Sequence, residues 1–155
     1  MTSEFKKSLA EDIPKIAALE KEIFSDAWSV SDLESVISET DGICYSAFCD
    51  GDLAAYVLGR KINPEAEIYR VATRATHRNL GLAKGLISHL IEKEKGEITD
   101  IFLEVRNSNV NAIKLYTGVG FKEISRRKNY YKNPCEDAIN MHLAVGENKD
   151  EHTCI

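Results

Sequence analysis

Apolar residues change their spacing along the chain, and each change marks an element. A short strand is predicted near residues 4 to 9. From Asp12 to Phe24, Ile13, Ile16, Ala17, Ile23 and Phe24 fall at helical intervals. Pro14 lies in the first turn, where its missing N–H costs nothing, so an amphipathic helix is predicted. A second, shorter helix is predicted over Ser29 to Glu39. There Ser31 and Glu34 stand in capping-box spacing, Leu33, Val36 and Ile37 turn to one side, and Asp41-Gly42 ends the run.

The spacing then becomes that of strands. Residues 43 to 49 and 53 to 62 are rich in apolar and aromatic side chains and flank Asp50-Gly51, a dipeptide that tolerates positive φ and so predicts an antiparallel hairpin. Asn63-Pro64 breaks the chain, Glu67 to Thr73 reads as a strand, and the loop Arg74 to Leu80 follows. In the long helix predicted next, Leu82, Leu86 and Leu90 repeat beside Ile87 and Ile91, while Lys84, Ser88, Glu92 and Lys95 cover the other face and Gly96 ends it. Thr99 to Arg106 alternates, with Ile101, Leu103 and Val105 on one face and Phe102, Glu104 and Arg106 on the other. Asn109 is placed to cap a helix carrying Ala112, Ile113, Leu115 and Tyr116 and ended by Gly118 and Gly120. Phe121 to Tyr131 and Ala138 to Val145 close the pattern as a strand pair. A local hairpin followed by strands that alternate with helices predicts an α+β fold of the α/β type: a mixed, mostly antiparallel sheet with helices on both faces.

At 155 residues the chain is sized for one core, read as a single domain over residues 1–145 with a frayed polar tail over 146–155. A composition of 43% hydrophobic and 29% charged residues excludes fibrous and wholly disordered classes. No apolar run approaches the ~20 residues needed to span a bilayer. The start, MTSEFKKSLAED, lacks the apolar stretch of a signal peptide, so a cytoplasmic protein with no membrane partner is expected. The 20 Lys and Arg against 25 Asp and Glu, a net charge of −5, weigh against a nucleic-acid partner. Cys44, Cys49, Cys135 and Cys154 show no CxxC pairing and no histidines at metal-ligand spacing, so reduced thiols and no metal are expected.

Chemistry concentrates where a strand meets a long helix. Val71-Ala72-Thr73 leads through a loop into Arg78-Asn79-Leu80-Gly81-Leu82-Ala83-Lys84. Free N–H groups at a helix N-terminus, with the helix dipole behind them, suit a pyrophosphate, and Gly81 lets it approach closely. A plain turn is the alternative reading of the same glycine.

RxxGxA between a strand and a long helix resembles the acetyl-CoA signature, Q/RxxGxG/A, of the Gcn5-related N-acetyltransferase superfamily. The run LEVRNSNVNAIKLYTGVGF from Leu103 to Phe121 resembles the corresponding block of its RimI-type branch, and FSDAWS at 24–29, RRKNYY at 126–131 and EDAINMHL at 136–143 agree with it. Two positions depart from the pattern: Asn79 stands where many relatives have Gly, and the strand reads VAT where the family often has IAV. The resemblance implies an enzyme that uses acetyl-CoA as co-substrate and acetylates a primary amine, in the RimI-type branch the N-terminal amine of a ribosomal protein. It implies that the backbone of Val71, Ala72 and Thr73 pairs with the pantetheine arm and that Arg78, Asn79, Leu80, Gly81, Leu82, Ala83 and Lys84 hold the pyrophosphate. Asn109 would add a polar contact to the cofactor, in place of or beside its capping role.

By the same resemblance Glu104 is the general base and Tyr116 the general acid. Without it, an ion pair with Arg106 and a core aromatic would explain them. Glu67, earlier on the strand that ends in VAT, is the competing base. An α-amine costs about 3 kcal/mol less to deprotonate than a lysine side chain, so a modest base suffices for it. A small-molecule amine, a lysine side chain, and a non-catalytic acyl-CoA-binding module are the alternatives.

Overall fold

The computed structural model describes residues 2 to 145, so the expected tail at 146–155 lies outside it. In chain order the elements are β1 (Ser3–Lys7), α1 (Ile13–Ile23), α2 (Val30–Ser38), β2 (Gly42–Cys49), β3 (Asp52–Ile62), β4 (Glu65–Thr73), α3 (Leu82–Glu94), β5 (Asp100–Arg106), α4 (Val110–Val119), β6 (Lys122–Tyr131) and β7 (Glu136–Ala144). Short 3-10 turns at Ala10–Asp12 and Ala75–His77 were not foreseen. The strand order is β1-β2-β3-β4-β5-β7-β6. β4 and β5 are parallel, and β1 with β2, β2 with β3, β5 with β7 and β6 with β7 are antiparallel, the mixed, mostly antiparallel sheet expected.

The chain forms two compact units. Among the described residues, one holds 2–61 together with Tyr69–Lys93; the other holds Ile62–Ile68 together with 94–145.

In the first unit Asp50 and Gly51 take φ of 51° and 88°, the left-handed pair that a tight hairpin turn requires. The turn sets the register of β2 with β3, and nearly every residue of both strands is buried. Continuous burial along a strand means both of its faces are covered. Cys44 and Phe48 of β2 and Leu53, Tyr56 and Leu58 of β3 pack with Ile13, Ile16 and Leu19 of α1 and Leu33 and Val36 of α2. On the opposite face Tyr45 meets His89 of α3 edge-on at 5.3 Å, and Phe5 of β1 lies 6.1 Å from the same ring. Helices therefore lie on both faces of this unit.

Two acidic side chains are buried in it, Asp12 and Glu20, and Glu20 is the deeper. Glu20 of α1 is fully buried and accepts hydrogen bonds from the Tyr56 hydroxyl (2.7 Å) and the Trp28 N–H (2.8 Å). Arg70 Nε stands 3.2 Å from the same carboxylate but off the line a hydrogen bond needs, so this contact acts through charge. Arg70 Nη2 also donates to the Asp26 carbonyl at 2.8 Å, and the guanidinium covers the Phe24 ring at 3.8 Å. These contacts fix the FSDAWS segment, with Trp28 5.8 Å from Tyr69.

In the second unit β5 buries Ile101, Leu103 and Val105 and leaves Phe102, Glu104 and Arg106 half-exposed, the alternation read from the sequence. Its register with β4 covers Glu65 to Ile68, and its register with β7 runs its full length.

Two local expectations are corrected. The second helix is capped by Ser29, whose side chain accepts from Asp32 N–H at 3.1 Å while Asp32 returns the bond to Ser29 N–H at 3.2 Å. Ser31 and Glu34 lie inside the helix, because the Trp28 N–H bond to Glu20 holds the chain extended only as far as Ser29. Gly118 is also within its helix, and Gly120, at φ 124°, ends it.

Gly42 and Gly118 should respond oppositely to alanine. A Cβ at Gly42 would stand 1.7 Å from the Val36 carbonyl oxygen, a backbone atom that cannot yield without moving α2. Gly42→Ala is expected to destabilise by ~3 kcal/mol or more. Gly118 has open space and lies inside α4, so Gly118→Ala should stabilise by ~0.5–1 kcal/mol. Urea unfolding of both variants measures the contrast.

Candidate active site

In the first unit β4 ends at Thr73 and the chain loops back to α3. Arg74 ties the start of this loop to β3: its N–H donates to Ala54 O at 2.8 Å and its guanidinium to Leu53 O at 3.0 and 3.2 Å. Arg78 Nε donates to Thr73 O at 3.2 Å and draws the loop closed. Asn79 and Gly81 take φ of 65° and 80°, which turns the chain into the helix. The first helical hydrogen bond runs from Gly85 N–H to Gly81 O at 2.9 Å. The N–H groups of Gly81, Leu82, Ala83 and Lys84 precede it, and a helix leaves such leading amides without intrahelical partners. A Cβ at Gly81 would meet nothing within 4 Å, so no other part of the protein packs against this glycine, and free leading amides at a helix start are donors suited to an anion. Val71, Thr73 and Ala83 are half-buried, Ala72 and Leu82 buried, and Arg78, Asn79, Leu80 and Lys84 exposed. The ten residues expected to hold the cofactor from Val71 to Lys84 thus form one continuous strand, loop and helix start.

The second unit carries the remaining candidates on β4, β5 and α4. Glu104 lies in mid-strand opposite Asn140 of β7, its side chain 23% exposed. The ion pair considered for it with Arg106 does not form. Arg127 Nε of β6 stands 3.1 Å from Glu104 Oε2 instead. Arg106 turns to Glu136 at 3.1 Å and lies over the Tyr131 ring at 4.0 Å. Glu136 also accepts the Ser108 N–H at 2.9 Å, and these donors hold its carboxyl below the usual range. Tyr130 and Tyr131 are the last residues of β6 and pack edge-on at 5.2 Å. Glu67, the competing base, is exposed and pairs in register with Phe102, two residues from Glu104.

Tyr116 is buried on α4, its ring 5.6 Å from Phe121. Burial pushes its hydroxyl up to about 12, and among the described residues the hydroxyl has no hydrogen-bond partner. A buried phenol that keeps its proton and lacks a protein partner is equipped to donate to a ligand. Asn109 does cap α4, its Oδ1 accepting Ala112 N–H at 3.2 Å, which leaves its amide NH₂ as donor.

The acetyltransferase (GNAT) family model matches residues 13–121, spanning both the amide-lined loop and the strand and helix that carry Glu104 and Tyr116. The chain belongs to the GNAT family. It is 33% identical over 140 residues to the ribosomal protein bS18-alanine N-acetyltransferase of Escherichia coli (strain K12), covering 86% of this chain and 92% of that protein. It is 27% identical over 142 residues to the N-alpha-acetyltransferase RimI of Mycobacterium tuberculosis, covering 88% of this chain and 89% of that protein. The crystal structure of the ribosomal-protein-S18-alanine N-acetyltransferase from Escherichia coli superposes with a TM-score of 0.85 at 30% identity, over 95% of this chain and 98% of that one. Arabidopsis thaliana NAA60 in complex with a bisubstrate analogue shares the fold at a TM-score of 0.83 and 19% identity, over 94% and 99% of the two chains.

As a GNAT enzyme the chain is an N-acetyltransferase. Asn79 also finds its explanation. The position needs positive φ, which Gly gives freely and Asn tolerates better than other residues, so the departure from the family's usual Gly keeps the loop's shape. Three site features had no signal in the sequence: Arg127 on Glu104, Glu136 on Arg106, and the buried Glu20 under FSDAWS. All three depend on pairings between distant elements. Among the described residues no group of three His, Cys, Asp or Glu could hold a metal ion, and no helix is long and apolar enough to cross a membrane.

Tyr116 should hold its proton well past the ordinary tyrosine range. An absorbance titration at 295 nm, compared with Tyr116→Phe, should place the phenol that the substitution removes near pH 12. Loss of a step near pH 10 would contradict its buried setting.

Proposed function

We propose that this enzyme, with residues 1–145 as its single catalytic domain, transfers the acetyl group of acetyl-CoA directly to an N-terminal α-amine, that of a ribosomal protein, in the cytoplasm. One observation carries the reading: 33% identity to the bS18-alanine N-acetyltransferase of Escherichia coli over 86% of this chain and 92% of that protein. Acetyl-CoA supplies the acyl group as a thioester. The leading amides of α3 take its pyrophosphate, with Gly81 leaving room, and the backbone of Val71 to Thr73 pairs with the extended pantetheine amides as an added strand would. Asn109 offers its side-chain NH₂ to the cofactor while its oxygen caps α4.

The acceptor arrives as an ammonium and must lose a proton before it can attack. Glu104 accepts that proton through a water, and the neutral Tyr116 hydroxyl delivers one to the departing sulfur. An α-amine with a reference pKa near 8 is partly neutral already, which is the regime a carboxylate base can serve.

The test of the acceptor is a side-by-side assay of acetyl-CoA consumption with alanine-starting peptides, lysine peptides with blocked N-termini, and small amines. Preference for the first is expected; preference for another class replaces the ribosomal acceptor, and turnover of none leaves an acyl-CoA-binding module. For the base, Glu104→Gln should cut turnover most near neutral pH, with partial recovery as the pH rises toward the amine's own pKa. A larger defect in Glu67→Gln would move the base to Glu67. For the cofactor, calorimetric titration should find acetyl-CoA binding weakened by ~10-fold or more in Gly81→Val, because the site needs positive φ and a bare backbone. Unchanged affinity would reduce the loop to a turn.

A further inference from the structure

The two partners of the Glu104 ion pair are unequal. Glu104 is set in the middle of β5 between Phe102 and Arg106, with its side chain only 23% exposed. Arg127 extends from the edge strand β6 with 59% of its side chain in water, and its guanidinium rests 4.8 Å from the Tyr130 ring centre. Neighbouring cations are committed elsewhere. Arg106 is held by Glu136 at 3.1 Å and by the Tyr131 ring. Arg126 is held by Glu123 at 2.8 Å, with Asp137 at 3.8 Å and Asn107 Oδ1 at 3.2 Å. Among the described residues Arg127 is therefore the cation on Glu104, and it is also the most hydrated guanidinium of the group.

We propose that Arg127 is a stand-in for the acceptor's ammonium. It occupies the Glu104 carboxylate in the free enzyme and swings into water when the substrate's charged N-terminus arrives to take over its charge, across the water that relays the proton. The inference rests on the reading of Glu104 as base. Exchange of one cation for another keeps the half-buried carboxylate compensated throughout, whereas a carboxylate waiting alone would be costly to hold there. Release is easy once the ammonium supplies the replacing charge, because the Arg127 side chain is already 59% exposed and its guanidinium returns to water. The two cations differ in what they can do next. A guanidinium does not give up its proton, so the Arg127 pair is a resting state; the substrate ammonium can release one, and only its pairing leads to acetylation. Arg127 thus sets how strongly an amine must be charged and positioned before it reaches the base.

The experiment is calorimetric titration of CoA-saturated enzyme with an alanine-starting peptide, in the wild type, Arg127→Gln, Glu104→Gln and the double variant. Removing the competitor should tighten peptide binding about two- to fivefold, the size of an exposed ion pair. The gain should vanish in the Glu104→Gln background, where there is no carboxylate to compete for. Damage to the β6 surface would weaken binding, so tightening is a result that a purely structural role does not produce. Equal or weaker binding in Arg127→Gln, the same gain with and without Glu104, or no peptide binding by any form overturns the proposal. Turnover of Glu104→Gln, measured alongside, separates the two ideas. Wild-type turnover removes Glu104 as base and the stand-in with it, whereas impaired turnover with unaltered peptide affinity in Arg127→Gln removes the stand-in alone.

Discussion

A carboxylate with no access to water has to be answered from all sides, and Glu20 is answered from β3, β4 and the segment that follows its own helix. Tyr56 supplies a hydroxyl, Arg70 a charge and Trp28 a backbone N–H, so one buried group joins α1, two strands and the FSDAWS segment. Removing one partner of such a pair typically costs ~3–5 kcal/mol, because the other is left charged and dry. An apolar core could hold α1 on the sheet through Ile13, Ile16 and Leu19 alone. What the ion pair adds is direction: an apolar helix face can slide, while a carboxylate with three partners in fixed places sets where the chain leaves α1 and how α2 begins.

The second unit uses charge differently. On the half-exposed face of β5 the charged residues meet in small closed sets, Arg106 with Glu136 and Tyr131, and His142 with Asp100 at 2.6 Å. Each set crosses strands, so the pairings follow from the registers of β5 with β7 and β6 with β7. The face is polar without being uniformly charged, which lets one carboxylate differ from its neighbours in what holds it.

How much of this could be read from the residues follows from how local each feature is. Asp50-Gly51 announced its hairpin because the turn's φ angles are demanded by two adjacent residues. The strand–loop–helix turn at residues 71–84 was legible for the same reason: strand, glycine and helix start are contiguous. Parity placed Glu104 and Arg106 on one face of β5 correctly, and that same parity suggested they pair. The partners they take, Arg127 and Glu136, come from other strands, and β6 carries register shifts that no alternation in its own sequence reveals. Glu20 was the least legible residue, since a glutamate between Leu19 and Lys21 in an amphipathic helix reads as solvated. The cap at Ser29 was displaced by two residues for a related reason, a backbone bond from Trp28 to that same buried group.

Gly85 joins the packing of α3 to its first turn. A Cβ there would come within 2.4 Å of the Phe5 ring, so the bare backbone lets α3 settle onto β1, at the cost of helix propensity in mid-helix. The same residue's N–H closes the first turn of α3 on Gly81 O, directly behind the amides that face the loop. The helix seat and the turn that opens α3 are thus one mechanical part. Whatever grips those amides tightens the first turn, and through Gly85 it tightens the seat on Phe5 as well. A ligand held at the loop would spend some of its binding energy as folding energy of the first unit, and slowed amide exchange should spread down α3 and across β1, well away from any atom the ligand touches.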